Sequence, residues 1–96
     1  MDIRAANLNL LLVFDAVMST GSVTKAAERV GLTQSGASNA LASLRTMFDD
    51  PLFERVGHEM RPTPLAQSIS EDVRQGLESL QRALEPPGFE PPRIDR

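Results

Sequence analysis

The chain of 96 residues contains no cysteine and a single histidine, His58. The absence of cysteine excludes disulfides, thiol catalysis and cysteine-based zinc sites. The sequence also offers no cluster of metal ligands and no glycine-rich loop of the kind that cradles phosphates, and Asp49 and Asp50 are adjacent acids that do not form a catalytic pair. We therefore predict that the chain is not an enzyme and holds no cofactor or metal ion.

Long hydrophobic runs are missing as well. No apolar stretch approaches the roughly 18 residues that a membrane-spanning helix requires, and the N-terminus does not resemble a secretion signal. The sequence therefore predicts a soluble protein without membrane contact. The lack of cysteine is compatible with a reducing compartment, and we expect a cytoplasmic location.

The chain also lacks an excess of positive charge. Its formal net charge is −3 and its isoelectric point is near 5.0, whereas a surface that binds nucleic acid is normally basic. Six of the 13 acidic residues lie at or beyond Glu71 and six of the 10 basic residues lie before it, but the first 70 residues still carry seven acids. Any attraction to phosphate is therefore expected to be modest for one subunit.

Residues 21–55 show the pattern of two short helices joined by a tight turn. Ser22 is suited to cap the first helix, and Gly31 tolerates the positive φ that ends it. Leu32 is expected to plug the turn into the core, and Thr33 to cap the second helix directly afterwards. Apolar residues recur at helical spacing in both helices: Val23, Ala26, Ala27 and Val30 in the first, and Ala37, Leu41, Leu44 and Phe48 in the second.

The second helix carries mostly short polar side chains opposite its apolar stripe: Gln34, Ser35, Ser38, Asn39, Ala42 and Arg45. Glutamine and asparagine can bond adenine through two hydrogen bonds, serine and threonine can contact base or phosphate, and arginine favours guanine. Free N–H groups at the helix start can bind a phosphate. This face fits either a helix that reads the major groove of DNA or a solvated helix surface, and periodicity alone favours the solvated surface.

Pro51 ends the second helix, because a proline disfavours helical geometry at the residue before it. Asp49 and Asp50 oppose the helix dipole and would repel phosphate, so we expect them to point away from DNA. The following residues predict a short two-stranded wing with its tip at Gly57 and His58. Its strands contain Leu52, Phe53 and Val56 before the tip, and Met60 and Arg61 after it.

The basic residues of the wing are candidates for contact with phosphate or with the adjoining minor groove: Arg55, His58 and Arg61. Arg55 could instead form an ion pair with a nearby acid: Glu54, Glu59 or Asp50. His58, as the single histidine, is more typical of a solvated loop than of a switch or a ligand.

Two further helices flank this unit. Asn7 is suited to cap the first, which is apolar enough to be buried on more than one side. Thr63 and Pro64 suit the start of a long final helix. Its apolar stripe runs through Leu65, Ile69, Val73, Leu77, Leu80 and Leu84. The domain could cover the first turns, but a stripe this long predicts contact with a second copy.

The final helix also carries charges of alternating sign opposite the stripe, among them Glu71, Arg74, Glu78 and Arg82. They either set the register between two helices or keep the face soluble. The following residues contain four prolines and predict a hinge or linker: Pro86, Pro87, Pro91 and Pro92.

The order of these motifs resembles that of LysR-type transcriptional regulators over nearly the whole chain. The residues that carry the resemblance are AAERV at 26–30, LTQS at 32–35, ASNAL at 37–41, LR at 44–45, PLFER at 51–55 and PT at 62–63. Residues 8–11, 38–41 and 89–91 are most similar to the branch that contains nodulation-gene and aromatic-degradation activators.

The resemblance implies a mainly α fold in three parts. Residues 1–62 would form a winged helix-turn-helix domain, residues 63–85 a dimerising linker helix, and residues 86–96 a proline-rich hinge towards an effector domain. Because 96 residues suffice for one small domain, we expect that effector domain to be absent, and a small-molecule effector would bind only there.

Family members commonly carry proline after the glutamine of the recognition helix, where this chain has Ser35 and Gly36. Glycine at a helical position costs about 1 kcal/mol relative to alanine. The departure either loosens the first turn of the helix or lets its backbone approach DNA more closely.

Residues and resemblance together predict a homodimer that binds double-stranded DNA sequence-specifically at an interrupted palindrome. Tetramerisation is a further option for the full-length regulator. We expect the recognition helix in the major groove and the wing on the backbone or in the minor groove. The predicted DNA-binding residues are Thr33, Gln34, Ser35, Ser38, Asn39, Arg45 and Arg55, and the resemblance favours Arg55 among the wing residues. The alternative function is a protein-interaction module, which the acidic isoelectric point favours.

Overall fold

Four helices and one antiparallel two-stranded sheet follow one another along the chain. The structure, a computed structural model, describes residues 7–85 and 88. The elements are α1 (Leu8–Thr20), α2 (Val23–Val30), α3 (Gln34–Phe48), β1 (Phe53–Val56), β2 (Glu59–Pro62) and α4 (Pro64–Leu84). This mainly α architecture with a small wing agrees with the predicted fold class.

Each helix begins after a polar residue whose side chain accepts a hydrogen bond from the first turn. The caps are those predicted: Asn7, Ser22, Thr33 and Thr63 accept from the N–H groups of Asn9, Lys25, Gly36 and Ala66 at 2.8, 3.1, 3.0 and 3.2 Å. Gly21 and Gly31 end α1 and α2 with φ of 68° and 76°, where a residue with a Cβ would be strained. Helix boundaries are therefore encoded locally.

The core lies where α1, α2 and α3 meet the wing. The rings of Phe14 and Phe53 contact each other with centroids 5.5 Å apart. Leu41 and Leu44 are buried beside them, as predicted. Buried residues of α1 are Val13, Phe14, Ala16 and Val17, while Leu8 and Leu12 at its start stay 50% and 38% exposed. One side of α1 therefore remains available to another surface.

Leu32 lies outside the core, so its predicted role as a plug is wrong. Its side chain is 41% exposed. The turn is instead closed by the backbone, since the N–H of Leu32 donates to the carbonyl of Ala27 at 2.9 Å while Gly31 adopts the left-handed conformation. A turn closed in this way requires no buried side chain.

The wing is a hairpin that pairs Arg55 with Met60 and Val56 with Glu59. Gly57 forms its tip with φ of 64°, as predicted. The N–H of Met60 donates to the carbonyl of Gly21 at 3.0 Å, which attaches β2 to the end of α1. Because Phe53 is also buried in the core, the wing is held at both of its strands.

Helix α4 packs on the domain only along its first half. Leu65, Ile69 and Val73 are partly buried against the core, whereas Leu80 and Leu84 are 50% and 78% exposed. The predicted hinge over 86–96 lies outside the described residues, apart from Gly88. In the described ranges, none of the helices combines the length and apolarity needed to cross a membrane.

Arg74 anchors α4 to α1. Its Nε lies 3.5 Å from Oδ1 of Asp15, and its Nη2 donates to Oγ of Ser19 at 3.2 Å. The sequence had offered solubility or register between two helices as the role of this arginine. Within one chain it also makes these two contacts between α4 and α1.

Candidate nucleic-acid interface

The start of α3 presents an exposed polar surface, which we define as the α3 face. Five predicted residues lie on it with exposed side chains: Thr33, Gln34, Ser35, Ser38 and Asn39. Thr33 is occupied as the helix cap, and its Oγ1 lies 3.3 Å from Oγ of Ser35. Among the described residues, Gln34, Ser38 and Asn39 have no side-chain hydrogen bond. Their donors and acceptors are therefore available to another molecule.

Gly36 fits closely under the cap of this helix. A Cβ at this position would lie 3.2 Å from Oγ1 of Thr33 and 3.8 Å from Cβ of Leu32. The N–H of Gly36 receives the cap at 3.0 Å, and the first turn is regular helix.

The wing brings Arg55 to the α3 face. Arg55 and Ser38, from separate elements, line one cleft of about 270 Å³. Its lining is completed by Val23, Leu41, Arg45 and Met60. The cleft thus joins two of the α3 candidates, Ser38 and Arg45, to Arg55, which lies 17 positions beyond Ser38 in the sequence.

Arg55 does not form the ion pairs that were the alternative to DNA contact. Among the described residues it has no salt bridge with Glu54, Glu59 or Asp50. Glu59 instead lies 3.7 Å from Nε of Arg61, and both side chains are largely exposed, so this pair is weak. Arg55 therefore stays exposed without an ion-pair partner among the described residues, while Arg61 forms a weak ion pair with Glu59.

Arg45 differs from the other candidates because its guanidinium is used inside the chain. Its Nε donates to the carbonyl of Pro51 at 2.8 Å and its Nη2 to the carbonyl of Phe53 at 3.3 Å. The residue is only partly exposed. These contacts were not predicted, because they join a helix to a loop whose path the sequence pattern does not specify.

Asp50 was also missed as a structural residue. Its Oδ2 accepts hydrogen bonds from the N–H of Leu52 at 2.8 Å and from Oγ1 of Thr63 at 2.7 Å. The carboxylate is thus engaged between α3, the wing and α4. In residues 7–85 and 88, no three carboxylate or imidazole groups come together as metal ligands.

A second surface lies on the far side of α1. Leu8 and Leu11 of α1 face Val73, Leu77 and Leu80 of α4 across an apolar groove of about 600 Å³, which we name the α1–α4 groove. Gly76 and Asp72 complete its lining. Two of the exposed leucines, Leu8 of α1 and Leu80 of α4, thus line the same apolar groove.

The helix-turn-helix of α2 and α3, followed by a hairpin that shares a cleft with α3, defines the chain as a winged helix-turn-helix protein. The family described as bacterial regulatory helix-turn-helix protein, lysR family, matches residues 8–67. The chain belongs to this family, and its fold is that of the family's DNA-binding domain.

Curated relatives agree with this assignment. The chain is 45% identical over 94 residues to the HTH-type transcriptional regulator LeuO of Escherichia coli K12, covering 98% of this chain and 30% of LeuO. It is 44% identical to the activator NahR of Pseudomonas putida, covering 88% of this chain and 28% of NahR. It is 43% identical to nodulation protein D 1 of Rhizobium meliloti, covering 88% and 27%.

These relatives confirm both the resemblance to LysR-type regulators and the predicted branch. Their names describe two transcriptional regulators and one nodulation protein. The chain spans less than a third of the length of each.

Solved structures give the same fold. The structure of the probable transcriptional regulator PA0477 from Pseudomonas aeruginosa matches with a TM-score of 0.85 and 40% identity, covering 93% of this chain and 30% of that one. A CbnR_DBD-DNA complex matches with a TM-score of 0.73 and 26% identity, covering 81% and 90%. The second is a protein of this fold bound to DNA.

Proposed function

We propose that the chain binds double-stranded DNA sequence-specifically as the DNA-binding part of a transcriptional regulator. The observation that carries the proposal is the α3 face: Gln34, Ser38 and Asn39 are exposed without side-chain partners in the described chain, and Ser38 shares a cleft with Arg55. Such side chains suit the edges of bases, and an arginine beside them suits a phosphate. A regulator of this kind would act in the cytoplasm, where bacterial DNA lies.

Within this proposal the residues divide into two groups. Gln34, Ser35, Ser38 and Asn39 read base edges, because their short polar groups lie on the first turns of α3. Thr33 and Arg55 contact phosphate: Thr33 lies at the helix start, where unpaired N–H groups attract anions, and Arg55 extends from the wing. Arg45 was predicted to contact DNA as well, but its Nε and Nη2 donate to carbonyls within the chain.

We further propose that the α1–α4 groove is covered by α4 of a second copy. Leu80 lines the groove and Leu84 extends the stripe beyond it, and a leucine stripe exposed to water on one helix is poorly stabilised. A dimer of antiparallel helices would place two recognition helices in successive major grooves, about 34–36 Å apart or a multiple of that distance. The matching operator is an interrupted palindrome.

Dimerisation would also compensate for the weak DNA affinity expected of one acidic subunit. The net charge of −3 limits attraction to DNA for one subunit, and two linked modules raise the overall affinity through effective concentration. Tetramerisation of a full-length regulator would extend the same effect.

Fluorescence anisotropy of the chain tests the proposed function. The probes are a duplex enriched from a randomised pool by the wild-type chain and a scrambled duplex of equal length, each titrated at two salt concentrations. We expect tighter binding to the enriched duplex and weaker binding to both as salt rises.

The competing function is a protein-interaction module, favoured by the isoelectric point near 5.0. If folded and dimeric protein bound neither duplex, the DNA-binding proposal would fail and this alternative would replace it. Equal affinity for both duplexes would contradict sequence-specific recognition.

A further inference from the structure

We propose that Arg45 is a positioning residue that holds the wing against α3, and that it does not contact DNA. The effect on DNA affinity rests on the proposed function, whereas the effect on the wing rests on the chain alone. Arg45 lies in α3, yet both of its hydrogen bonds reach the segment that leads into β1.

The first argument is the geometry of the guanidinium. Its Nε and Nη2 donate to the carbonyls of Pro51 and Phe53, at 2.8 and 3.3 Å. A guanidinium has rigid planar donors, so two contacts define the position of an acceptor segment better than one flexible ammonium does. These two bonds occupy the Nε–Nη2 edge of the guanidinium, one of the two edges that can bind guanine or phosphate through parallel hydrogen bonds.

The second argument is that the same segment is held from its other side by Asp50. Between the two carbonyls that Arg45 binds lies Leu52, whose N–H donates to Oδ2 of Asp50 at 2.8 Å. Leu52 is fully buried and adopts φ of 63°, a left-handed conformation that is unfavourable for a leucine. Such a conformation persists only where surrounding contacts determine it. Arg45 and Asp50 supply part of these contacts, beside the burial of Leu52 and the N–H of Thr63, which donates to the Leu52 carbonyl at 2.9 Å.

The third argument concerns what this segment positions. β1 begins at Phe53, and Arg55 is its third residue. Arg45, Arg55 and Ser38 line the same cleft, so the path of residues 51–53 sets how far Arg55 lies from the α3 face. Arg45 therefore acts on DNA through the wing, by setting the placement of Arg55.

A measurement without DNA tests the effect on the wing. Two-dimensional amide NMR spectra and hydrogen exchange are recorded for the wild type, Arg45→Gln and Arg45→Lys, with Arg29→Gln as the matched control. Arg29 is exposed, and within the described residues it has no hydrogen bond or salt bridge from its side chain. Arg45→Lys also serves if Arg45→Gln does not fold.

We expect the amide signals of β1 and β2 to move in both Arg45 variants, while those of α1 and α2 stay in place. Amide exchange in the hairpin should quicken by about tenfold, because loss of two hydrogen bonds from a charged donor favours local opening. Arg29→Gln should alter neither. Unchanged hairpin signals and exchange rates in the Arg45 variants would overturn the proposal.

A measurement with the enriched duplex tests the effect on DNA. Arg45→Gln should weaken binding by about tenfold, because the wing must then be ordered on binding, and the slope of log affinity against log salt should stay unchanged, because Arg55 still contacts phosphate in the complex. Arg55→Gln should reduce that slope by about 0.9. Arg45→Lys should not restore affinity, because it keeps the charge but loses the planar fork. A reduced slope in Arg45→Gln together with rescue by lysine would identify Arg45 as a phosphate contact and overturn the proposal.

The two measurements separate this inference from the proposed function. If the wild-type chain bound neither duplex, DNA recognition would be contradicted, while the hairpin signals would still decide whether Arg45 holds the wing. If the wild type bound DNA and the hairpin were unaffected by Arg45→Gln, the positioning role alone would be contradicted.

Discussion

Asp50 and Thr63, which lie 13 positions apart, are joined by a hydrogen bond of 2.7 Å from the threonine hydroxyl to the carboxylate. The same hydroxyl accepts from the N–H of Ala66 at 3.2 Å, so one buried side chain connects the end of α3 to the first turn of α4. Because Asp50 also accepts from the N–H of Leu52, this carboxylate connects α3, the segment leading into the wing, and α4.

Substitution of Asp50 should therefore destabilise the fold. Asp50→Asn keeps the shape but removes the charge from two hydrogen bonds, and we expect the free energy of unfolding to fall by about 1–2 kcal/mol. Asp49→Asn is the matched control. Asp49 is exposed with φ of 51°, a conformation that asparagine tolerates, so stability should change by less than about 0.5 kcal/mol. Urea denaturation measures both, and equal losses would contradict the role of Asp50.

Asn39 should carry sequence specificity. Asn39→Ala is expected to weaken binding to the enriched duplex by about 1–3 kcal/mol and to relax one base position, without affecting the scrambled duplex. Asn9→Ala makes the same chemical change on exposed α1 and should leave both affinities unchanged. Anisotropy titrations with duplexes mutated at single positions measure this difference. Equal weakening on both duplexes would show that Asn39 does not read a base.

Leu80 should hold the dimer together. Leu80→Lys places a charge in the α1–α4 groove, and we expect the chain to sediment as a monomer at concentrations where the wild type is a dimer. Gln75→Lys adds the same charge outside the groove lining and should preserve the dimer. Sedimentation velocity measures whether each variant is a monomer or a dimer. A Leu80→Lys variant that remained dimeric would place the interface elsewhere.

The two helical glycines should respond differently to alanine. A Cβ at Gly76 has no neighbour within 4 Å, so Gly76→Ala should stabilise the monomeric Leu80→Lys chain by about 0.5–1 kcal/mol. A Cβ at Gly36 would lie 3.2 Å from Oγ1 of Thr33, so displacement of the cap should offset most of that gain. Thermal unfolding of both variants in that background measures the contrast. Equal gains would show that the cap yields without loss.

Local chemistry explains why much of the fold was predictable. Asn7, Ser22, Thr33 and Thr63 cap helices through bonds to residues two or three positions away, and Gly57 turns the hairpin by its own φ. Such contacts depend on neighbours in the sequence and can be inferred from residue type and spacing. The exposed polar face of α3 followed from helical periodicity in the same way.

The candidate site was predictable only in part. Periodicity placed Ser38 and Asn39 on an exposed face, but it could not distinguish an arginine facing solvent from one bonded to a distant carbonyl. Arg45 and Arg55 look alike in the sequence, yet the first is tied to residues 51 and 53 while the second is exposed. Leu32 was wrongly predicted to be buried, because the sequence pattern did not show that a backbone hydrogen bond from its own N–H closes the turn.

The sequence by itself determined the order of the elements, their caps and the residues available at the start of α3, because these depend on interactions within a few positions. Only the tertiary structure decided the partners of Arg45, Asp50 and Arg74, and the meeting of Ser38 with Arg55 in one cleft. Those contacts join residues that become neighbours only after the helices pack. Which groups these polar side chains bind depends on distances in the folded chain, and spacing along the sequence does not specify those distances.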